Sequence, residues 1–450
     1  MNNKPTWQAN PSLLALSTSS ADETLYAGPA LDQETGLQCE LRVIATWSPR
    51  QGLRWTATFP EALPPQWLWG ELKDRSFRLL SGDGYKDFVL DRAHMSSQPD
   101  DSTMAGWLDS GRMVGAVAEA VAAVKLRWVN LPDVGFGEPL TIMGNAGPRF
   151  WRGRQRWTVG DWEMTVDARP DLREVRRGLA DSYGYAITQL ATLRRADGAT
   201  FLATDVQPVI SAYQLAVSFA LGRDAAPSLA AAEDENGLII WREWAVRSAD
   251  PVVGVTPWWH FAGSPMDTVT RLVGARILDE QVGKTAALLI KSYIASTHVG
   301  YLEQRITAAF SVVERLGMQR NMHEAGISKR RYEELYPDAA ARFRAILEKS
   351  DIPHDIADHL PKLKEFGVTV ARKPHDAPAA LTAIRNRLVH PQGVWDVYDR
   401  PGLLAEAWKQ LVHCVELMLL HWVGYNGKVQ DTSQLRGWSG EVHPVPWAPK

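Results

Sequence analysis

The apolar pattern of this chain changes its period near residue 264, and no other feature constrains the fold as much. Before that point apolar and polar residues alternate in short segments such as LQCELRVIATW, in which Cys39, Leu41 and Val43 share one face. Turn sequences such as SPRQG, SGDG and NAGP separate these segments. A period of two between frequent turns is typical of half-buried strands. We therefore predict a β-rich, sandwich- or barrel-like domain over residues 1–262.

After this change apolar residues recur with the period of a helix. One stripe in the segment GYLEQRITAAFSVVERLG consists of Leu302, Ile306, Ala309, Val313 and Leu316. The segment PGLLAEAWKQLVHCVELMLLHWVG is apolar around most of its circumference, which favours a central position in a bundle or at an interface. We predict a helical bundle over residues 263–430, an extended tail rich in Pro and Trp over residues 431–450, and an α+β fold class.

Two segments of the first domain depart from simple alternation. GRMVGAVAEAVAAVK fits either an Ala-rich helix or a buried strand with small side chains. TDVQPVISAYQLAVSFALG predicts a helix that Thr204 or Asp205 caps, with Pro208 in the first turn.

Charge and cysteine content exclude several classes of protein. Lys and Arg total 49 and Asp and Glu total 52, a net charge of −3, which excludes a polybasic protein that binds by bulk charge. Cys39 and Cys414 are too few for a disulfide framework or a four-cysteine zinc site. The N-terminal segment lacks the apolar core of a signal peptide, and no stretch approaches about 18 apolar residues. We therefore expect a cytoplasmic protein without a membrane span.

Three sequences that resemble known ligand motifs fail on their spacing. VGKT at 282–285 ends like a phosphate-binding loop, but Leu278 stands where that motif has glycine. SGDG at 81–84 lacks the third glycine of a dinucleotide fingerprint. His323-Glu324 is not followed by the second histidine of a zinc-binding HExxH motif. The sequence therefore predicts no cofactor and no metal site.

A more informative segment is DAPAALTAIRNRLVHPQG, at residues 376–393. Asp376 is expected to cap a helix whose first turn contains Pro378, and Pro391 and Gly393 are expected to end it.

Polar side chains lie outside the apolar stripe of this predicted helix. The stripe consists of Leu381, Ile384 and Leu388. At about 100° per residue, Arg385 falls on the shoulder of the stripe. Asn386 and His390 are four residues apart, so they share a face that points away from the core. The pattern places a guanidinium, an amide and an imidazole together at an exposed helix end.

This set of groups suits the cleavage of a phosphodiester. An imidazole can act as general acid or base near neutral pH. A guanidinium can hold two phosphate oxygens and stabilise the charge that develops on them. RNA carries its own nucleophile, the 2′-hydroxyl, so the reaction requires no metal ion.

These residues resemble the HEPN superfamily, whose ribonucleases carry Arg and His separated by four to six residues, often with Asn after the Arg. Arg385-Asn386-Arg387-Leu388-Val389-His390 fits with four intervening residues, and the resemblance covers about residues 265–428. It implies an up-down bundle, a homodimer that joins two motifs in one RNA-cleaving cleft, a catalytic pair of Arg385 and His390, and assistance from Asn386. Some members also use a polar residue of an earlier helix, for which Glu303 and Glu314 are candidates.

The order of domains is similar to that of the ApeA-like abortive-infection proteins of bacteria, which implies an RNA-cleaving effector in antiphage defence. The β-rich part would then be a sensor or regulatory domain, with a phage-derived or small-molecule trigger. His390 would deprotonate the 2′-hydroxyl or protonate the leaving 5′-oxygen, and Arg385 would hold the scissile phosphate. The products would be a 2′,3′-cyclic phosphate and a 5′-hydroxyl.

Structural interpretations of the same residues remain open. Arg385 could be a surface residue that pairs with Asp376 or Glu406, and His390 could cap the helix C-terminus. Glu303 and Glu314 could lie on a solvated helix face. The bundle could instead bind nucleotides or partners without catalysis, beside a ligand-binding β domain.

Two further groups of residues allow both a functional and a structural interpretation. Trp258 and Trp259 could be a ligand platform or core residues. The basic run at 329–331 could contact RNA or form a solvated face.

Overall fold

The chain divides into two compact units, Met1–Gln214 with Ala225–Val253 and Leu215–Asp224 with Gly254–Lys450. The structure is a computed structural model, and the residues that it describes are 6–14, 16, 22–47, 51–62, 74–80, 88–95, 102–113, 119–133, 137–144, 147–245, 247–251, 258–259, 265–369, 374–390, 393, 395–434 and 441–449.

Strands dominate the first unit. In chain order they are β1 (Trp7–Gln8), β2 (Glu23–Asp32), β3 (Gln38–Thr46), β4 (Gly52–Thr58), β5 (Arg75–Leu79), β6 (Phe88–Met95), β7 (Thr103–Met113), β8 (Ala120–Val121), β9 (Ala123–Val129), β10 (Glu138–Gly144), β11 (Gly147–Val159), β12 (Trp162–Ala168), β13 (Ile187–Arg195), β14 (Phe201–Leu202), β15 (Ala226–Glu233) and β16 (Ile239–Ala245).

A single sheet joins most of these strands, in the order β1-β10-β11-β12-β13-β9-β15-β16-β7-β4-β3-β2-β5-β6. Strand β6 also pairs with β7, so the six strands β7-β4-β3-β2-β5-β6 close into a barrel. β1 runs parallel to β10, and β8 pairs with β14 in a separate small sheet. The predicted α+β class with a β-rich, barrel-containing N-terminal region is confirmed.

Alternation builds the barrel core as the sequence indicates. On β3 the side chains of Cys39, Leu41 and Val43 are buried, and the alternate residues Glu40 and Arg42 are exposed. The buried rings of Trp55 and Phe77 meet at a centroid distance of 5.0 Å. Burial of such aromatic side chains supplies much of the apolar area that stabilises a sheet fold.

Two helices belong wholly or partly to this unit, α1 (Leu172–Ser182) and α2 (Ala203–Leu221). The sequence predicts α2, but the helix begins at Ala203, so Thr204 and Asp205 lie in its first turn rather than at its N-cap. The Tyr213 hydroxyl of α2 donates to the carbonyls of Trp157 and Trp162, which fixes the helix on the β11–β12 hairpin.

The structure resolves one ambiguity and adds one helix. Within GRMVGAVAEAVAAVK the described residues form the end of β7, then β8 and the start of β9, so the strand alternative is correct there. Residues 114–118 lie outside the described part. Helix α1 is not predicted, although its buried residues Leu172, Val175 and Leu179 follow helical spacing.

The second unit is helical. Its further helices are α3 (Met266–Leu278), α4 (Gly283–Thr297), α5 (Leu302–Met318), α6 (Lys329–Leu335), α7 (Ala339–Glu348), α8 (Pro361–Thr369), α9 (Ala377–Val389), α10 (Trp395–Tyr398) and α11 (Leu403–Val423). Strands β17 (Lys428–Gln430) and β18 (Val442–Pro444) form an antiparallel pair after them.

Helix α11 is the centre of this unit. It contacts α3, α4, α5, α7, α8, α9 and α10, and its residues are buried on nearly all sides. The prediction of a central position, made from its apolar circumference, is confirmed. None of the described helices combines the length and the hydropathy that crossing a lipid bilayer would require.

Candidate active site

The helix that carries the predicted motif is α9, and its start follows the sequence closely. Asp376 adopts an extended backbone, and its carboxylate accepts a hydrogen bond of 2.9 Å from the backbone N–H of Ala379. Arg344 of α7 holds the same carboxylate through two hydrogen bonds of 2.7 and 3.1 Å. The predicted N-cap is confirmed, and Arg344 rather than Arg385 pairs with Asp376.

The faces of α9 also follow the sequence. Leu381 and Ile384 are fully buried, whereas Arg385 is half-buried and Asn386 is exposed. Arg385 therefore lies on the shoulder of the apolar stripe, as its spacing predicts.

Arg385 is tied to an earlier helix through Glu314 of α5. Its Nη2 donates to Glu314 Oε1 at 3.1 Å, and its Nη1 donates to Asn386 Oδ1 at 3.2 Å. Its Nε is buried and has no partner among the described residues. The guanidinium is 26% exposed and Glu314 is 43% exposed, so solvent reaches both groups. A phosphate that binds Arg385 must therefore share the guanidinium with Glu314, or displace it.

His390 lies just beyond the helix. α9 ends at Val389, and His390 is the C-cap residue, with an extended backbone at φ −120° and ψ 141°. Its backbone N–H still donates to the carbonyl of Asn386 at 3.0 Å. The expected helical stacking of His390 on Asn386 is therefore wrong, and the C-cap alternative is correct.

The imidazole of His390 is exposed, and none of the described residues forms a hydrogen bond or ion pair with it. Pro391, which was expected to end the helix, lies outside the described residues. The imidazole is thus available to a ligand at the same helix end as Asn386.

Glu303, the other candidate acid, has a different partner. Its Oε1 accepts a hydrogen bond of 2.8 Å from the Tyr398 hydroxyl of α10. That hydrogen bond raises the pKa of Tyr398, because the carboxylate stabilises the protonated phenol. Glu303 stands eleven residues before Glu314 on α5, which is about 16 Å along a helix axis. The structure therefore brings Glu314, and not Glu303, to Arg385.

Two residues that sequence analysis does not select lie close to this cluster. Arg387 Nε donates to Asp396 Oδ2 at 3.0 Å, which ties the segment after the motif back to α9. The pKa of Tyr332 on α6 is raised by burial, with a smaller contribution from the charge of Glu314. The hydroxyl of Tyr332 is buried without a partner among the described residues. No sequence signal indicates this hydroxyl, because Tyr332 belongs to a segment that resembles a charged surface helix.

The remaining candidates, Trp258, Trp259 and the basic run at 329–331, have contacts typical of core and surface residues. Trp258 and Trp259 are each 1% exposed and donate to backbone carbonyls at 3.4 and 2.6 Å, so they are core residues and not a ligand platform. Lys329, Arg330 and Arg331 are exposed and pair with Glu333 or Glu334 on the same helix, as in a solvated face. In the described part of the chain, no group of three or more His, Cys, Asp or Glu could hold a metal ion.

A second polar cluster lies in the core of the helical unit. Glu416 of α11 is 3% exposed, and its carboxylate accepts hydrogen bonds from the hydroxyls of Tyr293, at 2.8 Å, and Thr432. Both partners are neutral, and burial raises the pKa of Glu416 to about 7. Glu416 is therefore enclosed in the core of the helical unit and is not part of the exposed motif.

Comparison with known proteins relates both parts of the chain to one group. Residues 117–255 match the model of the YopA central domain, and residues 279–443 match the model of the YopA C-terminal domain. The SPbeta prophage-derived uncharacterized protein YopA of Bacillus subtilis (strain 168) is 27% identical over 301 residues, which are 66% of this chain and 66% of the relative. No solved structure matches the chain. The chain, including the motif helix, is thus similar to YopA proteins.

Proposed function

We propose that this protein is a metal-independent endoribonuclease of the HEPN type that acts as a homodimer in the cytoplasm. One observation carries the proposal: the guanidinium of Arg385 is positioned beside Asn386 at the helix end where the exposed imidazole of His390 follows. Glu314 and Asn386 hold the guanidinium at an accessible edge, where it can meet a phosphate. Two such helix ends, one from each subunit, would complete the cleft.

The proposed reaction divides the work between two groups. His390 removes the proton of the 2′-hydroxyl or donates one to the leaving 5′-oxygen, as general acid–base catalysis requires. Arg385 holds the scissile phosphate and stabilises its developing charge. The 2′-oxygen then forms the bond to phosphorus while the bond to the 5′-oxygen breaks, which leaves a 2′,3′-cyclic phosphate and a 5′-hydroxyl.

Incubation of the purified protein with total RNA and with a tRNA pool in EDTA tests this proposal. We expect the wild type to cleave with cyclic-phosphate ends and His390→Ala to lose cleavage. His323→Ala is the matched control, because His323 is another exposed histidine of the helical unit and should retain activity. Cleavage by His390→Ala at the wild-type rate would refute the assignment.

A role in antiphage defence is the biological part of the proposal. The architecture resembles abortive-infection effectors, and the relative in Bacillus subtilis is a prophage-derived protein. We expect wild-type protein, but not His390→Ala, to reduce phage plating on a host that expresses it. Equal plating on both hosts would remove the defence role and leave the ribonuclease proposal standing.

A second candidate function rests on a cavity of about 750 Å³ in the β-rich unit. Its lining includes apolar side chains such as Leu126, Leu190 and Ile239. It also includes two ion pairs, Lys125 with Glu233 and Arg127 with Glu23. That size and mixture suit a small-molecule site, which a trigger or regulatory ligand would occupy. Thermal shifts with nucleotides and sugars test this alternative. A ligand that raises the melting temperature would favour a non-catalytic binding protein if the protein cleaves no RNA either with or without that ligand.

A further inference from the structure

The short helix α10 comes soon after the motif and holds one large apolar side chain in solvent. Trp395, its first residue, is 70% exposed. Its ring lies 6.2 Å from the ring of Tyr398, centroid to centroid, and its indole N–H has no hydrogen-bond partner among the described residues. Trp and Tyr side chains are enriched where proteins contact a ligand or a partner. The exposed indole is therefore a candidate binding contact.

The other three side chains of α10 have partners within the helical unit. Asp396 Oδ2 accepts a hydrogen bond of 3.0 Å from Arg387 Nε of α9. Val397 is 1% exposed. The Tyr398 hydroxyl donates to Glu303 Oε1 of α5 at 2.8 Å. These contacts fix α10 against two other helices, so the exposed indole stands on a fixed support.

The chain between the motif and α10 turns back toward the end of α9. Gly393 has φ +73°, and a Cβ there would lie 3.2 Å from Asp396 Oδ2 and 3.4 Å from Arg387 Nε. Glycine fits this turn because it adopts a positive φ without strain and leaves room for the ion pair. Arg387 stands three residues before His390, so α10 is held beside the helix end at which the imidazole is exposed.

The support of the indole and the proposed phosphate contact lie on two sides of this helix end. Arg385 and Arg387 are two residues apart on α9, which is about 200° around the helix axis. Arg385 binds Glu314 on one side, and Arg387 holds α10 on the other. A strand whose phosphate meets Arg385 would cross the end of α9, past His390, to reach Trp395.

We propose that Trp395 is a specificity-determining residue of the proposed ribonuclease, whose indole stacks on an unpaired base next to the scissile phosphate. This inference rests on the proposed function, which places that phosphate at Arg385. Aromatic side chains stack on any base, and proteins that recognise single-stranded RNA use them in this way. A base within a duplex is already stacked on its neighbours. The substrate class is therefore RNA with unpaired nucleotides at the cleavage site.

Binding to the full-length His390→Ala protein tests the stacking without cleavage. On this background Trp395→Ala should lower the affinity for a fluorescent oligouridine of about a dozen nucleotides roughly tenfold. Trp395→Phe keeps a ring and should stay within about threefold of the parent. Trp395→Ala should not change the affinity for the same oligouridine annealed to oligoadenosine, because its bases are paired.

A second measurement identifies the base as the partner of the indole. An oligomer of abasic residues of the same length should bind the His390→Ala protein about tenfold less tightly than oligouridine, and Trp395→Ala should not weaken its binding further. The matched control is Phe150→Ala, which removes a ring of equal exposure, 70%, from β11 of the β-rich unit. This control should leave each affinity unchanged.

Three results would overturn the proposal. The first is an unchanged affinity for oligouridine in Trp395→Ala. The second is an equal loss of affinity for the abasic oligomer, since the indole would then contact something other than a base. The third is dissociation of a dimer by Trp395→Ala, measured by light scattering, which would assign this surface to a second copy of the chain.

Cleavage and stacking fail separately. If the wild type does not cleave RNA but the Trp395-dependent binding persists, the ribonuclease proposal falls and Trp395 remains a contact for single strands. In a protein that cleaves, Trp395→Ala should raise KM about tenfold and keep kcat within about twofold, because stacking holds substrate and transition state alike. If cleavage depends on His390 while Trp395→Ala changes neither affinity nor KM, only the stacking falls.

Discussion

Two regions of the helical unit give a glutamate opposite kinds of partner, a cation in one and neutral hydroxyls in the other. At the end of α9, Glu314 meets the cation of Arg385 in partial contact with solvent. In the core around α11, Glu416 meets only the neutral hydroxyls of Tyr293 and Thr432. Removal from water disfavours an ionised carboxyl unless a cation compensates it, which is why the pKa of Glu416 rises to about 7. Glu314 therefore holds an accessible cation in place, whereas Glu416 organises the core.

The largest effect on RNA cleavage is expected from substitution of Arg385. Arg385→Ala removes the group that would hold the phosphate, so we expect RNA cleavage to fall by about 100- to 1000-fold. The fold should tolerate the change, because a partly exposed ion pair contributes at most about 1 kcal/mol. Arg387→Ala on the same helix is the control and should stay within a few-fold of the wild type. Equal losses in both variants would mean that general charge, rather than the Glu314-bound guanidinium, matters.

Glu416→Gln tests the core region through pH. The folded chain keeps the Glu416 carboxyl protonated up to about pH 7, whereas the unfolded chain releases that proton near its ordinary pKa of 4.5. The protonated Glu416 carboxyl therefore contributes on the order of 3 kcal/mol to stability, which is complete below pH 4.5 and is lost as the pH rises through 7. In urea unfolding at pH 5 and pH 8, Glu416→Gln should lack this decline. Thr432→Val keeps the carboxyl and should keep the decline; parallel curves for Glu416→Gln and the wild type would contradict the assignment.

The two glutamates of α5 provide a second contrast, with a smaller expected effect on cleavage. Glu314→Ala should lower kcat for RNA cleavage by about tenfold, because the guanidinium of Arg385 loses its fixed position. Glu303→Ala, whose carboxylate binds Tyr398, should leave kcat within about twofold of the wild type.

Glu314→Gln separates positioning from charge. It keeps an oxygen that accepts the hydrogen bond of Arg385 but removes the charge that competes with phosphate, so KM should fall while kcat stays near that of the wild type. A fall in kcat as large as that of Glu314→Ala would instead give the carboxylate a direct part in proton transfer.

The smallest expected effect is at Tyr332. Its buried hydroxyl lacks a partner among the described residues, so Tyr332→Phe removes an unsatisfied polar group. We expect the free energy of unfolding to rise by up to about 1 kcal/mol, with no change in cleavage. Thermal unfolding measures this effect. A destabilised Tyr332→Phe protein would show that the hydroxyl is hydrogen-bonded in solution.

Features that depend on neighbours along the chain can be predicted from the sequence. The Asp376 cap, the half-buried position of Arg385 and the central place of α11 all follow from local spacing and chemistry. α1 also has a local signal, the helical spacing of Leu172 and Val175, but this signal is short and lies between strands.

The rest depends on contacts between distant segments. Nothing in the motif distinguishes Glu303 from Glu314, since both lie on α5 and only the packing of α9 against α5 decides which of them meets Arg385. His390 lies one residue beyond the end of α9, although the spacing alone fits another helical position. The closing pair of β6 and β7 is likewise invisible in alternation, which predicts strands but not their partners.

Closure of the barrel has a consequence for how the chain behaves in crowded solution. Because β6 pairs back onto β7, the strand order of the large sheet has one open end in the described structure. The edge strand at that end is β1, which pairs with β10 through only Trp7 and Gln8. A chain without this short parallel strand would also offer the backbone around Leu140 and Thr141 of β10 as a template for a strand of another molecule. Trp7 and Gln8, at the edge of the long sheet, thus help to prevent strands of other molecules from adding to it.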